Sequence, residues 1–240
     1  MVRAVTIALA LVAATATASD DRIIEGSAPI AATERLEIEA GVGDVVIRTG
    51  SDERVHWRLA LEADPDAGWM FSRKRRFDEV RAELAKVEVT HSADGADFEL
   101  ALRVPAALDD DDFNQRWTIT VPARFAARAS VDVGLVKVTG LAGGVRASVD
   151  VGSIELDLPG GEVEARVDVG NIDITTATAP TGDIDLEADV GDVDLELDGR
   201  RIKNDHGYGP GASLRLSGKG GDRVRARVDV GDIDALIGKR

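Results

Sequence analysis

Five aspartates each stand two residues before a glycine and between two apolar residues. Asp132, Asp150, Asp168 and Asp229 lie in Val-Asp-Val-Gly, and Asp189 in Ala-Asp-Val-Gly. Carboxylates that recur at one place in a repeat have two chemistries open to them. Stacked oxygen ligands suit a hard divalent cation such as calcium. Paired carboxylates suit acid–base work, with a polysaccharide as the substrate. Asp150, Asp168 and Asp189 are the candidates for either role. Neighbouring carboxylates about 4.8 Å apart repel by about 1 kcal/mol in water, and by more at a protein surface. A cation, alternate protonation, plain hydration, or the nearby Arg146, Arg166 and Arg227 must relieve that repulsion. Calcium takes about six to eight oxygens, and neighbouring repeats offer about two to four. The calcium-binding nonapeptide pattern is also missing. An aspartate beside a turn glycine commonly caps backbone N–H groups. A solvated, capping column is therefore the expectation, with no cofactor required and calcium the one cofactor the pattern would accept.

The spacing of these motifs sets the architecture. Gly134, Gly152, Gly170 and Gly191 follow one another at intervals of 18, 18 and 21 residues, and Gly231 comes 40 later, with Gly211 midway. A period of about 20 residues marks a stacked repeat whose unit cannot bury its apolar face alone. Within a unit the apolar residues alternate. Val163, Ala165, Val167 and Val169 share one parity, and Glu164, Arg166 and Asp168 the other, as in a half-buried strand. After the glycine the parity shifts, so that Ile172 and Ile174 point inward. A glycine that resets parity reads as a corner, and Pro159-Gly160-Gly161 turns the chain back. Like residues recur by column: Ala129, Ala147, Ala165 and Ala226 stand five before the glycine, and Val131, Val149, Val167 and Val228 three before. Column identity favours a parallel stack, and the fold expected is an all-β β-solenoid of about 18–21 residues per coil. The alanine column implies a thin one.

Residues 34–126 read as an N-terminal β region, and 127–240 as the regular repeats. Leu36, Ile38 and Ala40, then Gly43, then Val45 and Ile47, repeat the rung grammar. Phe77, Val80, Leu84 and Val87 have helical spacing, which places an amphipathic helix near 74–86. A hairpin is expected around Asp94-Gly95, and the acid run 109–112 reads as a solvated loop. Residues 1–18 have the three parts of a secretory leader: a positive end at Arg3, an apolar run 4–14, and Ala16-Thr17-Ala18. An extension 19–33 follows. The expected location is periplasmic, in a Gram-negative bacterium, or secreted, with no membrane span. Net charge is -15, which disfavours nucleic acid.

"GVGDVVI", "WTITVP", "VDVGSIEL", "VDVGNIDI" and "ADVGDVDL" together resemble a bacterial envelope family of β-strand-repeat proteins of unknown function, related to candidate adhesin head domains. The resemblance runs from about Arg35 to Ile237 and implies an exported, adhesin-like β-solenoid without enzymatic activity. Partners would be an envelope protein or a surface polysaccharide, and open solenoid ends would allow a homo-oligomer. Nucleophile-elbow, zinc-protease, phosphate-loop and cysteine motifs are all absent, so a non-catalytic chain is expected. A polysaccharide-acting enzyme using the aspartate column, or a calcium-stabilised module, are the alternatives. His56 and His91 lack metal-spaced partners. The odd repeat "NDHGYGPG" puts His206 and Tyr208 in inward columns, and these two are the candidate partner-contact residues.

Overall fold

The computed structural model describes residues 21–30, 33–64, 73–109, 112–203 and 210–238. The leader expected at 1–18, and His206 and Tyr208, lie outside them. Among the described residues the chain forms fifteen strands and one helix. The N-terminal elements are β1 (Arg22–Pro29), β2 (Arg35–Gly50), β3 (Arg54–Ala63), α1 (Arg73–Leu84), β4 (Glu88–Asp94), β5 (Asp97–Arg103) and β6 (Phe113–Pro122). The regular rungs are β7 (Ala126–Thr139), β8 (Val145–Leu158) and β9 (Val163–Thr176). Then come β10 (Ile184–Val190), β11 (Val193–Leu197), β12 (Arg200–Ile202), β13 (Ala212–Leu216), β14 (Val224–Val230) and β15 (Ile233–Ile237). They belong to one large sheet system that does not close on itself.

The rungs stack in parallel and in register, like residue on like residue. Ala129 faces Ala147, Val131 faces Val149, Gly134 faces Gly152 and Val136 faces Ile154. The same columns continue through Ala165, Val167, Gly170 and Ile172. Each rung must also double back on itself. An extended 14-residue strand spans about 45 Å, yet only residues 159–162 connect the end of β8 to the start of β9 beside it. The bend falls at the glycine. Inward residues from both halves, Val145, Ala147 and Val149 before it and Ile154, Leu156 and Leu158 after it, are buried in one apolar core. The small alanines before the bend leave room for the larger Ile and Leu after it, which keeps the stack thin.

Gly152 shows why the corner admits only glycine. Its φ is +144°, and a Cβ there would lie 1.8 Å from the carbonyl oxygen of Gly134. The corners of adjacent rungs thus touch through backbone. The same relation ties Gly170 to Gly152, Gly231 to Gly170 and Gly191 to Gly231, at 1.7, 1.7 and 1.9 Å.

That column reveals a rung order different from the chain order. The last rung, β14 and β15, pairs in parallel with β9 on one side and with β10 and β11 on the other. It is inserted between rungs that precede it in sequence. The connection 177–183 is longer than 159–162 because it steps over a place left for the final rung, and this explains the 21-residue interval. Gly211 is therefore not a hidden corner, as its midway position suggested. Gly191 instead donates its N–H to the Pro210 carbonyl at 3.0 Å, and β13 runs antiparallel to β10. A tight turn with positive φ at Asp198 and Gly199 folds β12 antiparallel onto β11, as Asp-Gly turns favour. The C-terminal rung is thus an interior rung, and two antiparallel strands line the outer side of the rung beside it.

The other end is irregular. β2 forms the first full rung against β7. Its first half also pairs with β5 and its second with β6, and β3 and β1 extend that second layer antiparallel. The large aromatics gather here. Trp117, Phe98, Phe113 and Phe125 are fully buried, filling a region wider than the alanine-lined rungs. Val80 and Leu84 of α1 are buried and Phe77 packs beside them, the stripe expected from their spacing. β4 and β5 form the hairpin at Asp94-Gly95. The acid run departs from expectation at Asp112, which is 2% exposed. Its carboxylate accepts the Asp109 N–H at 3.0 Å, so it closes the turn rather than facing water. No helix among the described residues is long and apolar enough to cross a membrane.

Gly152→Ala is expected to lower stability by about 3 kcal/mol or more, because it combines a disfavoured φ with a backbone clash. Gly95→Ala, where a Cβ meets nothing within 4 Å, should cost about 1 kcal/mol. Urea unfolding of both variants checks the difference.

Candidate functional site

The corner that the glycines create also builds a surface. Val133, Val151, Val169, Val190 and Val230, each the residue before a corner glycine, are 45 to 48% exposed. The parity of Val163, Ala165 and Val167 predicts that Val169 points inward, and it does not. The turn begins before the glycine, so inward packing stops at Val167 and resumes at Ile172, and Val169 is left on the outside of the bend. Register places these valines in one row, in the order Val133, Val151, Val169, Val230, Val190. Val42 continues it beside Val133.

The aspartate column runs beside this row. Asp132 and Asp150 are exposed and make no hydrogen bond or ion pair among the described residues. Asp168 accepts hydrogen bonds from Nε and Nη2 of Arg166 at 3.2 and 3.1 Å. Both oxygens of Asp189 accept from Nη2 of Arg227 at 3.2 and 2.9 Å. Arg166 also reaches Asp229 at 3.4 Å. Two of the three arginines named from the sequence therefore sit among the carboxylates. The third, Arg146, pairs with Glu164. Inserting the last rung brings Asp229 between Asp168 and Asp189, an order the sequence does not display. Among the described residues no group of three or more His, Cys, Asp or Glu side chains has the arrangement of a metal site.

A second acidic column lies three residues after the glycines. Glu155 faces Asp173, Asp173 faces Asp234, and Asp234 faces Asp194. Cations close both ends: Lys137 donates to Glu155 at 2.6 Å, and Arg201 pairs with Asp194. Partial burial first, then the facing Asp234 and Glu155, hold the Asp173 carboxyl above the usual carboxylate range. Partial burial, then Asp194 and Asp232, do the same to Asp234, with Arg201 opposing them. An open cleft of about 380 Å³ runs along Asp173, Asp234, Asp194 and Arg201. The shared place three residues after each corner glycine was the signal for this column; the rung order adds that Asp234 stands between Asp173 and Asp194.

The histidines have local roles. His56 Nε2 lies 2.6 Å from an Asp52 carboxylate oxygen. His91 stacks on Phe98 with ring centroids 5.6 Å apart and is tilted against Trp57 at 5.3 Å. Burial pushes its pKa down, which favours the neutral ring.

No protein family and no curated protein matches the chain. Among solved structures, the chain is similar to a candidate cell adhesion protein from Clostridium sporogenes. That likeness covers 89% of this chain and 98% of the other, at TM-score 0.55 and 14% identity. At such identity it is a likeness of fold. A candidate adhesin from Bacteroides fragilis aligns over 89% and 97% at TM-score 0.26 and 12% identity, too low a score to support an argument.

The second acidic column has a signed pH dependence. An aspartate whose pKa is raised by folding binds protons more tightly when folded, so its charging costs stability as pH rises from the unfolded value through the folded one. Asp173→Asn is expected to raise stability at pH 7 by about 0.5 kcal/mol, the scale of a like-charge cross-strand pair. The gain should vanish below about pH 3.9, where the carboxyl is protonated in both states. Denaturation at the two pH values measures it.

Proposed function

We propose that the chain is a β-solenoid, exported to the bacterial envelope, that works by binding rather than catalysis: an adhesin-like module whose rungs present rows of side chains to a partner. The single observation that carries this reading is the in-register ladder of like residues, which turns one residue choice per rung into a continuous surface row. The fold likeness to a candidate cell adhesion protein supports the same reading. The ion pairs support the non-catalytic part. Asp168 and Asp189 are held by Arg166 and Arg227, so the two carboxylates are engaged in ion pairs rather than facing an open site. An envelope protein or a surface polysaccharide is the partner expected of such a module.

Labelled protein is expected to bind saturably to intact bacteria or to an isolated envelope fraction, without turnover of uronic-acid polymers. Absence of saturable binding to every fraction contradicts the adhesive reading. Turnover that Asp168→Ala abolishes would replace it with the polysaccharide-acting alternative.

A further inference from the structure

We infer that the valine row at the corner edge, with its flanking carboxylates, is a docking surface for a cationic amphipathic helix. The inference rests on the binding reading above and names the surface and the partner's chemistry. The first observation is the choice of residue. Valine stands before the corner glycine in all six rungs, at 42, 133, 151, 169, 190 and 230. The five most exposed are nearly half open to water. Strand geometry does not explain this. Threonine has the same branched shape and the same strand preference, and a wetted position suits its hydroxyl better, yet it occurs at none of the six. The outward position four residues before the glycines varies. Four residues before the glycines the chain has Ser130, Ser148, Arg166, Glu187 and Arg227. Apolar character is thus held constant at one exposed place, beside an aspartate that recurs in five of the six rungs, and an unbroken exposed apolar row marks a contact surface.

Charge selects the partner. Asp132, Asp150, Asp168, Asp229 and Asp189 line one side of the row, and Asp232 and Asp192 stand just past the glycines at its far end. Arg166 and Arg227 are the cations among them. The Asp132 end opens into an acidic cavity of about 460 Å³, bordered also by Glu37, Glu39 and Glu99. A second copy of this edge, or an anionic membrane, would set like charge against like. A cationic partner meets carboxylates unpaired among the described residues at the Asp132 and Asp150 end, and carboxylates shared with Arg166 and Arg227 further along.

Spacing selects its shape. Rungs repeat every 4.8 Å or so, and an α-helix advances about 5.4 Å per turn. Over the four gaps between five valines the two drift apart by only about 2.4 Å. A strand laid along the row would present same-face side chains about 6.8 Å apart and drift by about 8 Å. A single valine row between carboxylates matches the narrow apolar stripe of a helix with lysine or arginine on its shoulders.

The test uses the full chain with valine methyls labelled and a designed helix of about 18 residues, with leucines on one stripe and lysines beside it. Titration is expected to move the methyl signals of Val133, Val151, Val169, Val190 and Val230 and to weaken with added salt. Val151→Thr with Val169→Thr should leave the fold intact, since both side chains are exposed, and should lower affinity about tenfold. Asp132→Asn with Asp150→Asn should lower affinity and flatten the salt dependence. Peptide affinity unchanged by the threonine pair overturns the inference. So do a neutral polysaccharide that moves the same methyls while the peptide does not, and self-association that the threonine pair abolishes. If the threonine variant still binds envelope material as wild type does, the row fails and the adhesive reading stands. If wild type binds the helix at the row but no envelope material, the adhesive reading fails and the row stands.

Discussion

Backbone contact at the corners is the constraint from which the rest of this structure follows. At five of the six corners the carbonyl oxygen of one glycine occupies the space a Cβ would need on the next, as Gly134 does for Gly152 and Gly170 for Gly231, and at Gly43 the Gln115 carbonyl does the same. Positive φ and close approach together exclude other residues. The same contact fixes register, because a slip of one residue would drive a side chain into a carbonyl. It also ends the inward parity before the turn. The result is an interior of Val149, Val167 and Ile172 and, directly beside it, an exterior row of Val151 and Val169. Core and candidate docking surface are two consequences of one bend.

Surface charge follows the ladder as well. Arg146 with Glu164, Arg223 with Glu162, Arg128 with Glu37 and Lys137 with Glu155 each join neighbouring rungs. Exposed pairs of this kind contribute at most about 1 kcal/mol each, so they reinforce a register that the glycines and the apolar columns already impose. Where the pairing of signs fails, from Glu155 through Asp173 and Asp234 to Asp194, like charges face one another, and partial burial together with that repulsion raises the proton affinity of Asp173 and Asp234. The chain tolerates that cost on an open face, where water screens it.

Much of this was legible in the sequence, for reasons that are local. The repeat, the corner glycines, the inward columns at Ala147 and Val149, and the helix carrying Val80 and Leu84 all follow from periods of two and 3.6. Two things were not legible. The order of the rungs is long-range: "VRARVDV" at 224–230 fits against "VEARVDV" at 163–169 as well as any rung does, so grammar alone permits several orders. The longer connection 177–183, visible as the 21-residue interval, was the available signal. The second valine of each motif shared the alternation of the core, and only the onset of the turn shows that it faces out. The carboxylates read as the motif's chemistry are, at Asp168 and Asp189, the paired flank of that valine row.

The order of the rungs decides which members of the acidic columns and of the valine row are neighbours. Glu164 and Arg225 are paired neighbours, and Arg225 separates Glu164 from Asp185. The chain contains no cysteine, so introduced pairs report without interference. Oxidation of a Glu164→Cys, Arg225→Cys variant should give an intramolecular disulfide, since facing Cα atoms lie about 4.8 Å apart. A Glu164→Cys, Asp185→Cys variant should give none, because those positions are two rungs, about 9.6 Å, apart. Efficient bridging of 164 to 185 and none of 164 to 225 would mean that the rungs stack in chain order, and would contradict this account.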